Sequence, residues 1–214
     1  MELKEAIKNR RSIRHFSSKK LDQGILEKII EAGNYAPSHC NTQGWKFVFV
    51  DDEKIKEDIY SAGGSYAIKN APYGILVSYN TASSDNLEYK DWIQSASAAI
   101  QNMLLTIHGL GLGGCWIGHL PSKKKLSKIF NIPKPYAPVA YIVLGYPQEA
   151  PRDMPRQHEI NEILAVNKFI WPGEKVSTKI RLKRWSKKFY FILPSFVKKI
   201  IMPLTDKLVK KFHN

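Results

Sequence analysis

The chain has 214 residues, of which 43% are hydrophobic and 11% aromatic. These proportions exclude an intrinsically disordered chain and predict one well-packed domain, with room for an appendage. Cys40 and Cys115 are its two cysteines and form no Cys-x-x-Cys pair. Neither a disulfide framework nor a structural zinc site is therefore expected.

The net charge of +14 is concentrated towards the end of the chain. Residues 168–214 contain thirteen Lys and Arg against two acidic residues, a net charge of +11, whereas residues 1–167 carry only +3. This asymmetry argues against a nucleic-acid-binding domain, and no nucleic-acid partner is expected. The N-terminus has no apolar core of the length found in signal peptides, and no stretch of the sequence approaches the roughly 20 apolar residues that span a bilayer. We therefore expect a cytoplasmic protein.

The first predicted elements are two helices separated by an arginine-rich segment. Apolar residues recur at helical spacing over 3–7 and over 21–35, where Asp22 is the candidate N-terminal cap. Between them, Arg10-Arg11-Ser12-Ile13-Arg14 places three guanidiniums and a hydroxyl within five residues. Arginine offers planar donors that suit phosphate oxygens. The segment predicts an anion-binding site, and the pattern alone also fits an exposed basic turn.

A polar loop follows the second helix. The nine residues Pro37-Ser38-His39-Cys40-Asn41-Thr42-Gln43-Gly44-Trp45 are dense in hydrogen-bonding groups and end in an indole. His39 is a candidate general acid, but a lone histidine is more often a hydrogen-bonded structural residue. The loop and the arginine-rich segment are the two candidate binding segments of the N-terminal part of the chain.

Strands and helices alternate along the rest of the domain. Strand-forming residues predict strands over 46–50, 73–79 and 137–146, and helical patterns predict short helices over 53–61 and 126–130. The segment 91–110 predicts a long helix whose apolar residues cover nearly all its faces, which indicates burial on more than one side or sharing between subunits. This alternation predicts a layered α+β or α/β domain.

The prolines between Pro147 and Pro155 mark a boundary. We assign residues 1–167 to the folded domain and residues 168–214 to a basic extension. Cys115 lies in an apolar stretch without a neighbouring base, which favours a buried, inert thiol. For Trp116, core packing and a role in a binding site are equally compatible with the sequence.

Four motifs in this order resemble the nitroreductase family of FMN-dependent oxidoreductases. They are Arg-Arg-Ser-x-Arg at 10–14, Pro-Ser-x-x-Asn-x-Gln-x-Trp at 37–45, a glycine-rich stretch leading into Cys-Trp-Ile-Gly at 115–118, and Gly-Tyr-Pro at 145–147 followed by prolines and Arg156. The resemblance runs from about Met1 to Leu164. It implies an α+β fold, a sheet flanked by helices, with FMN at the interface of an intertwined homodimer.

The resemblance also implies a role for each motif residue. Arg10, Ser12 and Arg14 would hold the FMN phosphate and the pyrimidine edge, Arg11 would contribute mainly its backbone, and Arg156 would close on the phosphate. Pro37, Ser38, His39 and Asn41 would reach the flavin from the partner subunit. Trp116, Ile117 and Gly118 would approach the other side of the ring, largely through backbone groups. The flavin would do the chemistry, so no side chain is expected to be catalytic.

The implied activity is transfer of two electrons from NADH or NADPH through flavin N5 to an electron-poor acceptor, such as a nitroaromatic, quinone or enone, in a ping-pong cycle. Reductive dehalogenation, flavin fragmentation and a non-catalytic, membrane-docked flavin-binding module are the alternatives. Two departures from the family pattern stand out. Gly44 replaces the usual proline before the loop tryptophan and is expected to loosen the loop, and His39 and Cys40 stand where smaller hydroxyl residues are common.

The extension has a pattern of its own. An apolar run at 189–193 is flanked by lysines, and apolar residues then recur at three- and four-residue steps from Phe196 to Phe212. Pro194 and Pro203 fit the starts of two short amphipathic helices. Such helices could lie on an anionic membrane, which for a cytoplasmic protein is the inner face of the cell membrane. The alternatives are that they pack on the domain or on the partner subunit, or that they bind another acidic partner.

Overall fold

The computed structural model describes residues 2–84, 86, 88–151, 153–173, 177–178, 180–182, 185–186, 193 and 197. Their helices and strands are α1 (Leu3–Asn9), α2 (Ile25–Asn34), β1 (Trp45–Val50), α3 (Glu53–Ser61), α4 (Tyr66–Asn70), β2 (Tyr73–Asn80), α5 (Asp91–Gly109), β3 (Gly113–Ile117), α6 (Lys123–Ile129), β4 (Tyr136–Gly145) and α7 (Ile160–Ile163). None of these helices is long and apolar enough to cross a membrane. Apart from Val197, the helix pair predicted for the extension lies outside the described residues.

The four strands form one antiparallel sheet in the order β1-β2-β4-β3. Successive side chains of a strand point to opposite faces, and the two central strands are apolar on both. On β2, Ile75 and Val77 belong to one apolar cluster and Leu76 to another, and β4 divides Ile142 and Tyr141 in the same way. The sheet is therefore the middle layer of the domain, which confirms the predicted α+β fold.

One face of the sheet is covered by α5 and α2. Ala96, Ala99, Ile100, Met103 and Ile107 of α5 are fully buried. Helix α2 crosses α5 closely because Gly33 has no side chain, and a Cβ there would lie 2.9 Å from Met103 Cγ. Helix α5 thus runs through the main core, and its two ends fix the positions of the chain segments that contact them.

Two predictions about local structure were wrong. Helix α2 begins at Ile25 rather than Leu21, and its N-terminal cap is Gly24, with φ of 77°, rather than Asp22. The Asp22 carboxylate instead accepts a hydrogen bond from Tyr146 Oη at 2.6 Å, a partner far along the chain. The five-residue helix α4 was not predicted, because one turn is too short to establish a period.

Candidate functional site

The arginine-rich segment lies along the edge strand β3. Ser12 forms a parallel bridge with Gly114, and Ile13 N donates to Gly114 O at 3.1 Å. Further on, Phe16 pairs with Pro147 at the end of β4. Gly113 allows this approach, since a Cβ there would lie 2.7 Å from Ile13 Cβ. The backbone of the segment is therefore fixed by the sheet, and its side chains project from a defined position.

The three guanidiniums of this segment differ in their partners. Arg11 donates to Asp153 Oδ1 at 2.8 Å and to Lys8 O at 2.6 Å. Arg10 and Arg14 are half-buried and form no side-chain hydrogen bond or ion pair with any residue that the structure describes. Charged side chains that are partly desolvated favour an anionic partner. These two cations are therefore suited to an anion from outside the described chain.

Two titratable groups lie beside the same cations. Burial lowers the pKa of His108, with a further lowering from the charges of Arg10 and Arg11. Burial raises the pKa of Cys115, against the opposing influence of Arg14 and of a hydrogen bond with Ser12. Ser12 and Arg14 thus face β3, and Arg10 faces the last turn of α5. Cys115 is 1% exposed, in agreement with an inert thiol.

The Arg11–Asp153 pair attaches the proline-rich segment to the arginine-rich segment. A backbone hydrogen bond from Gln148 N to His15 O, at 3.2 Å, adds a second attachment. Arg156 follows Asp153 by three residues and is exposed. The expected role of Arg11 was its backbone, whereas the structure also gives its side chain this tethering contact. Sequence reasoning missed Asp153, because nothing local marks a carboxylate that pairs across the whole chain.

The polar loop is held by hydrogen bonds from its own side chains. Gln43 N donates to Ser38 Oγ at 3.0 Å, and Gln43 Nε2 donates to Asn41 Oδ1 at 2.7 Å. Thr42 Oγ1 and Tyr79 Oη are 2.7 Å apart, which joins the loop to β2. Pro37 is exposed at its start. These bonds fix the loop without any ligand.

The loop backbone is also strained. Cys40, Asn41 and Gln43 have φ values of 46°, 55° and 45°. Asparagine tolerates this left-handed region, but cysteine and glutamine adopt it rarely. Such conformations cost about 1–3 kcal/mol each and cluster at binding and catalytic sites, where the surroundings maintain them. The strain therefore supports a functional role for the loop.

His39 connects the loop to the start of α5. Its backbone N–H donates to Ser95 Oγ at 3.0 Å, and its Nε2 lies 3.4 Å from Asp91 Oδ2. Asp91 also accepts hydrogen bonds from the Ser84 hydroxyl and from Trp92 N, the latter at 2.6 Å. The Ser84 bond is the main reason that the pKa of Asp91 is lowered, although desolvation opposes it. A stable carboxylate thus orients the imidazole.

Gly44 does not loosen the loop as expected. A Cβ on Gly44 would lie 2.6 Å from Tyr79 Cε1, and Gly44 O accepts a hydrogen bond from Asn80 N at 2.8 Å. Trp45 begins β1 directly afterwards and donates from Nε1 to Asn34 Oδ1 at 3.0 Å. Glycine is needed here for a close approach to an aromatic ring, and the loop remains tightly attached to the sheet.

The two polar segments lie at opposite ends of α5. His39 binds Ser95 in the first turns of the helix, whereas Arg10 and Arg11 lie beside His108 in the last. Ser95 and His108 are thirteen residues apart, which corresponds to about 20 Å along the helix axis. Within one chain, the structure therefore does not bring the loop and the arginine-rich segment together.

Residues 116–118 follow the arginine-rich segment along β3. Trp116 is 39% exposed, so core packing does not account for its ring, whereas Ile117 is buried in the core. Gly118 has no atom within 4 Å of where its Cβ would be. An exposed indole and an open glycine leave one side of this edge accessible to a flat ligand.

A family model for the nitroreductase family matches residues 7–62 and 56–146, well over half of the chain. The chain belongs to the nitroreductase family. A relative from Methanothermobacter thermautotrophicus, provisionally named an NADH dehydrogenase/NAD(P)H nitroreductase, is 34% identical over 155 residues, which cover 71% of this chain and 80% of the relative. This membership supports an oxidoreductase.

Solved structures agree with the nitroreductase assignment. An FMN-dependent nitroreductase from Clostridium difficile is 28% identical, with a TM-score of 0.68 over 77% of this chain and 98% of that chain. A provisionally named nitroreductase from Desulfovibrio desulfuricans, solved in complex with FMN, is 29% identical, with a TM-score of 0.67 over 79% of this chain and 99% of that chain. The nitroreductase fold is therefore shown for the domain.

Proposed function

We propose that this nitroreductase binds FMN between two copies of the chain and passes two electrons from NADH or NADPH to a small electron-poor acceptor. Nitroaromatics, quinones and enones are the proposed acceptor class. The observation that carries the proposal is the separation of two prepared polar segments by about 20 Å along α5. A two-fold dimer would allow the loop of one copy to meet the arginine-rich segment of the other.

The residues beside β3 fit the polar parts of FMN. Arg10 and Arg14 are half-buried cations without carboxylate partners among the described residues, and Ser12 is an exposed hydroxyl on a fixed backbone. Guanidinium and hydroxyl donors are suited to phosphate and to the carbonyl groups of a pyrimidine edge. We assign these contacts to Arg10, Ser12 and Arg14, with Arg156 closing on the phosphate from the tethered proline-rich segment.

The loop would supply the opposite wall of the site from the partner subunit. Its hydrogen bonds and strained backbone fix Ser38, His39 and Asn41 before any ligand arrives. A preformed wall lowers the entropic cost of binding because fewer groups have to be ordered. Pro37 gives the loop a restricted start. The loop thus has the properties of a binding surface in a dimer.

Residues 116–118 and Arg14 would surround the ring of a bound flavin. Bound FMN would supply the two-electron redox chemistry between NAD(P)H and the acceptor. Trp116 and Gly118 would flank the ring, and Ile117 would contribute only its backbone because its side chain is buried. A positive charge from Arg14 near the pyrimidine edge would stabilise the negative charge that develops on reduction. No side chain of the chain is assigned a proton-transfer or nucleophilic step.

Anaerobic titration of the purified protein with NADPH and then NADH, followed by visible spectroscopy, tests this function. We expect flavin absorption that bleaches when one or both donors are added, with free FMN at the same concentration as the control. A colourless protein that does not take up added FMN would overturn the cofactor assignment. Bound flavin that both donors leave oxidised would overturn the reductase and favour the non-catalytic module. The cytoplasmic location remains a prediction.

A further inference from the structure

The residues just before the basic extension, and the described residues within it, expose many large apolar side chains. They are Ile160, Ile163, Leu164, Val166, Phe169, Ile170, Ile180, Leu182 and Trp185, with exposures from 47% for Ile180 to 81% for Phe169. Soluble proteins rarely leave such a series uncovered unless it meets a partner. The first part of the series has contacts of its own, since Trp171 Nε1 donates to Glu162 O at 2.7 Å and the rings of Phe169 and Trp171 are 5.1 Å apart.

The charge of this region restricts the partner. Thirteen Lys and Arg and only two acidic residues occur between 168 and 214, together with eight aromatic residues. In the described part, Arg181 N donates to Ser177 O at 3.0 Å, a helical hydrogen bond, and Arg181 is exposed beside Ile180 and Leu182. From 196 to 212, the sequence spacing predicts one apolar face and one lysine-rich face. The partner must therefore accommodate apolar side chains and lysine charges at the same surface.

The folded domain is a poor match for these cations. An apolar groove of about 710 Å³ between α2 and β1 is one site on the domain that could receive the apolar residues. Only two carboxylates line it, those of Glu27 and Glu31, and Lys46 lines it as well. Residues 1–167 carry a net charge of +3. Packing the extension on this domain, or on a second copy, would leave most of its positive charge uncompensated.

A nucleic acid would match the charge but not the apolar face. It binds cations through its phosphates and stacks on aromatic rings, whereas the extension also repeats Ile, Leu and Val at helical steps. An anionic lipid bilayer accepts both components, because its headgroups attract lysine and its acyl boundary takes aliphatic and aromatic side chains. We propose that residues 168–214 bind the surface of an anionic lipid bilayer and hold the nitroreductase domain there.

Sedimentation of the full-length protein with lipid vesicles tests this proposal. Phosphatidylcholine vesicles are compared with vesicles that also contain phosphatidylglycerol, after nuclease treatment of the protein. We expect the protein to pellet only with the anionic vesicles and to be released as the salt concentration rises. In parallel, the tryptophan emission should shift to shorter wavelengths on binding, because Trp171 and Trp185 belong to the binding region.

Two full-length triple variants distinguish binding through the lysines of the extension from a general effect of positive charge. Lys198→Gln/Lys199→Gln/Lys210→Gln should weaken partition onto anionic vesicles by about 100-fold, given the usual contribution of each lysine near such a surface. Lys124→Gln/Lys128→Gln/Lys134→Gln removes the same charge from exposed positions of the domain and should leave partition nearly unchanged. A third variant, Phe196→Ser/Phe212→Ser, keeps every charge and should also weaken binding.

Several results would overturn the membrane proposal. Full-length protein that stays in the supernatant with anionic vesicles excludes it, as do two triple variants that weaken binding equally. Binding that disappears after nuclease treatment would show a nucleic-acid bridge instead. Bound flavin or a native circular dichroism spectrum in each variant establishes that it is folded, so a loss of binding is then assigned to the extension. The outcome is independent of flavin reduction, which tests the proposed function separately.

Discussion

The polar groups at the two ends of α5 differ in whether the chain itself supplies their hydrogen-bonding partners. At its start, the loop from Pro37 to Trp45 satisfies its own hydrogen-bonding groups and stores strain in the backbone. At its end, the sheet fixes the backbone of the arginine-rich segment but leaves Arg10 and Arg14 without partners in the described chain. The loop at the start of α5 therefore has its hydrogen bonds already made, whereas the arginines at the end of α5 still lack an anionic partner.

This difference indicates a division of labour between the two ends. The loop loses little conformational entropy when a ligand binds, because its geometry needs no further ordering. Unsatisfied, partly buried cations gain most from a ligand, because charge-assisted hydrogen bonds are the strong ones. Each chain builds both halves and keeps them apart. This separation is the reason for the proposed dimer, which is tested by disabling the two ends in different chains.

The largest effect is expected when the two ends are disabled in different chains. Arg14→Ala should weaken FMN binding about 10- to 100-fold, because it removes a charged donor, and Asn41→Ala should disable the loop. In random mixtures of the two variants, half of the dimers are mixed and hold one intact site of two, so about a quarter of the wild-type flavin sites should return. Flavin absorbance after co-refolding or co-expression measures this recovery.

The control for this recovery is the same mixture made after folding, without exchange of subunits, which should regain nothing. Size-exclusion chromatography of the wild-type protein provides the oligomeric state independently. If the mixed variants stay as defective as their average, each site lies within one chain, and the proposed arrangement across the dimer is wrong even if FMN binds.

The two cysteines report on the two ends of α5 separately. Cys40 is exposed in the loop, whereas Cys115 is buried beside Arg14 and its pKa is raised by burial. In flavin-free protein, Cys40 should react with iodoacetamide at least about 100-fold faster than Cys115, which reacts only through local opening. FMN should slow the reaction at Cys40, since His39 and Asn41 are proposed to contact it. Mass spectrometry of timed samples distinguishes the two sites.

Unequal rates that do not change with FMN would leave the burial of Cys115 correct but contradict the role of the loop. Equal rates would contradict the packing of β3 itself. Denatured protein, in which both thiols should react alike, is the control.

Much of the fold could be predicted from local patterns, because long periodic segments carry their own signal. The bounds of α5 and of three strands were predicted to within a few residues. The cap of α2 could not be predicted, because the carboxylate of Asp22 is used by Tyr146, more than a hundred residues away. Helix α4 has a single turn, and no period can be recognised in it.

The candidate site also has features that could be predicted from local sequence and features that could not. Its residue types were predicted, since Arg10, Ser12, Arg14 and the loop form recognisable motifs. Their separation was implied only by the family resemblance and could not be worked out from the residues themselves, because the sheet order and the length of α5 decide which end each motif occupies. Asp91 and Asp153, which hold the motifs in place, were also missed. Asp153 pairs with Arg11, and Asp91 lies beside His39, each far from its partner in sequence. A single sequence contains no sign of such pairs.

Gly44 offers a sharper test of how rigid the loop is. Gly44→Ala places a Cβ against the ring of Tyr79 and should reduce the free energy of unfolding by about 1–3 kcal/mol, as overpacking generally does. Gly109→Ala is the matched control, because a Cβ there meets nothing within 4 Å and the position is the last residue of α5, so the change should leave the free energy of unfolding unchanged or raise it slightly. Urea denaturation of both variants measures the difference. A neutral Gly44→Ala would mean that the loop yields easily.

The smallest effect concerns the carboxylates that serve the two ends. Asp91→Asn should lower the melting temperature at pH 7 by a few degrees, because Asp91 is buried and organises His39, Ser84 and Trp92. Asp153→Asn, the matched control, should change it less, since Asp153 is 89% exposed and exposed ion pairs contribute little. Thermal unfolding followed by circular dichroism compares them.

The pH dependence gives the Asp91 prediction its sign. The pKa of Asp91 is lowered in the folded protein, chiefly by the Ser84 hydroxyl. Its contribution to stability is therefore complete above the ordinary aspartate pKa of about 4 and is lost as the pH falls through the lowered value. The gap in melting temperature between wild type and Asp91→Asn should therefore narrow as the pH falls below about 4. A gap that stays constant over that range would mean that the carboxylate is not charged when it holds the loop, and that His39 is positioned by its backbone bond to Ser95 alone.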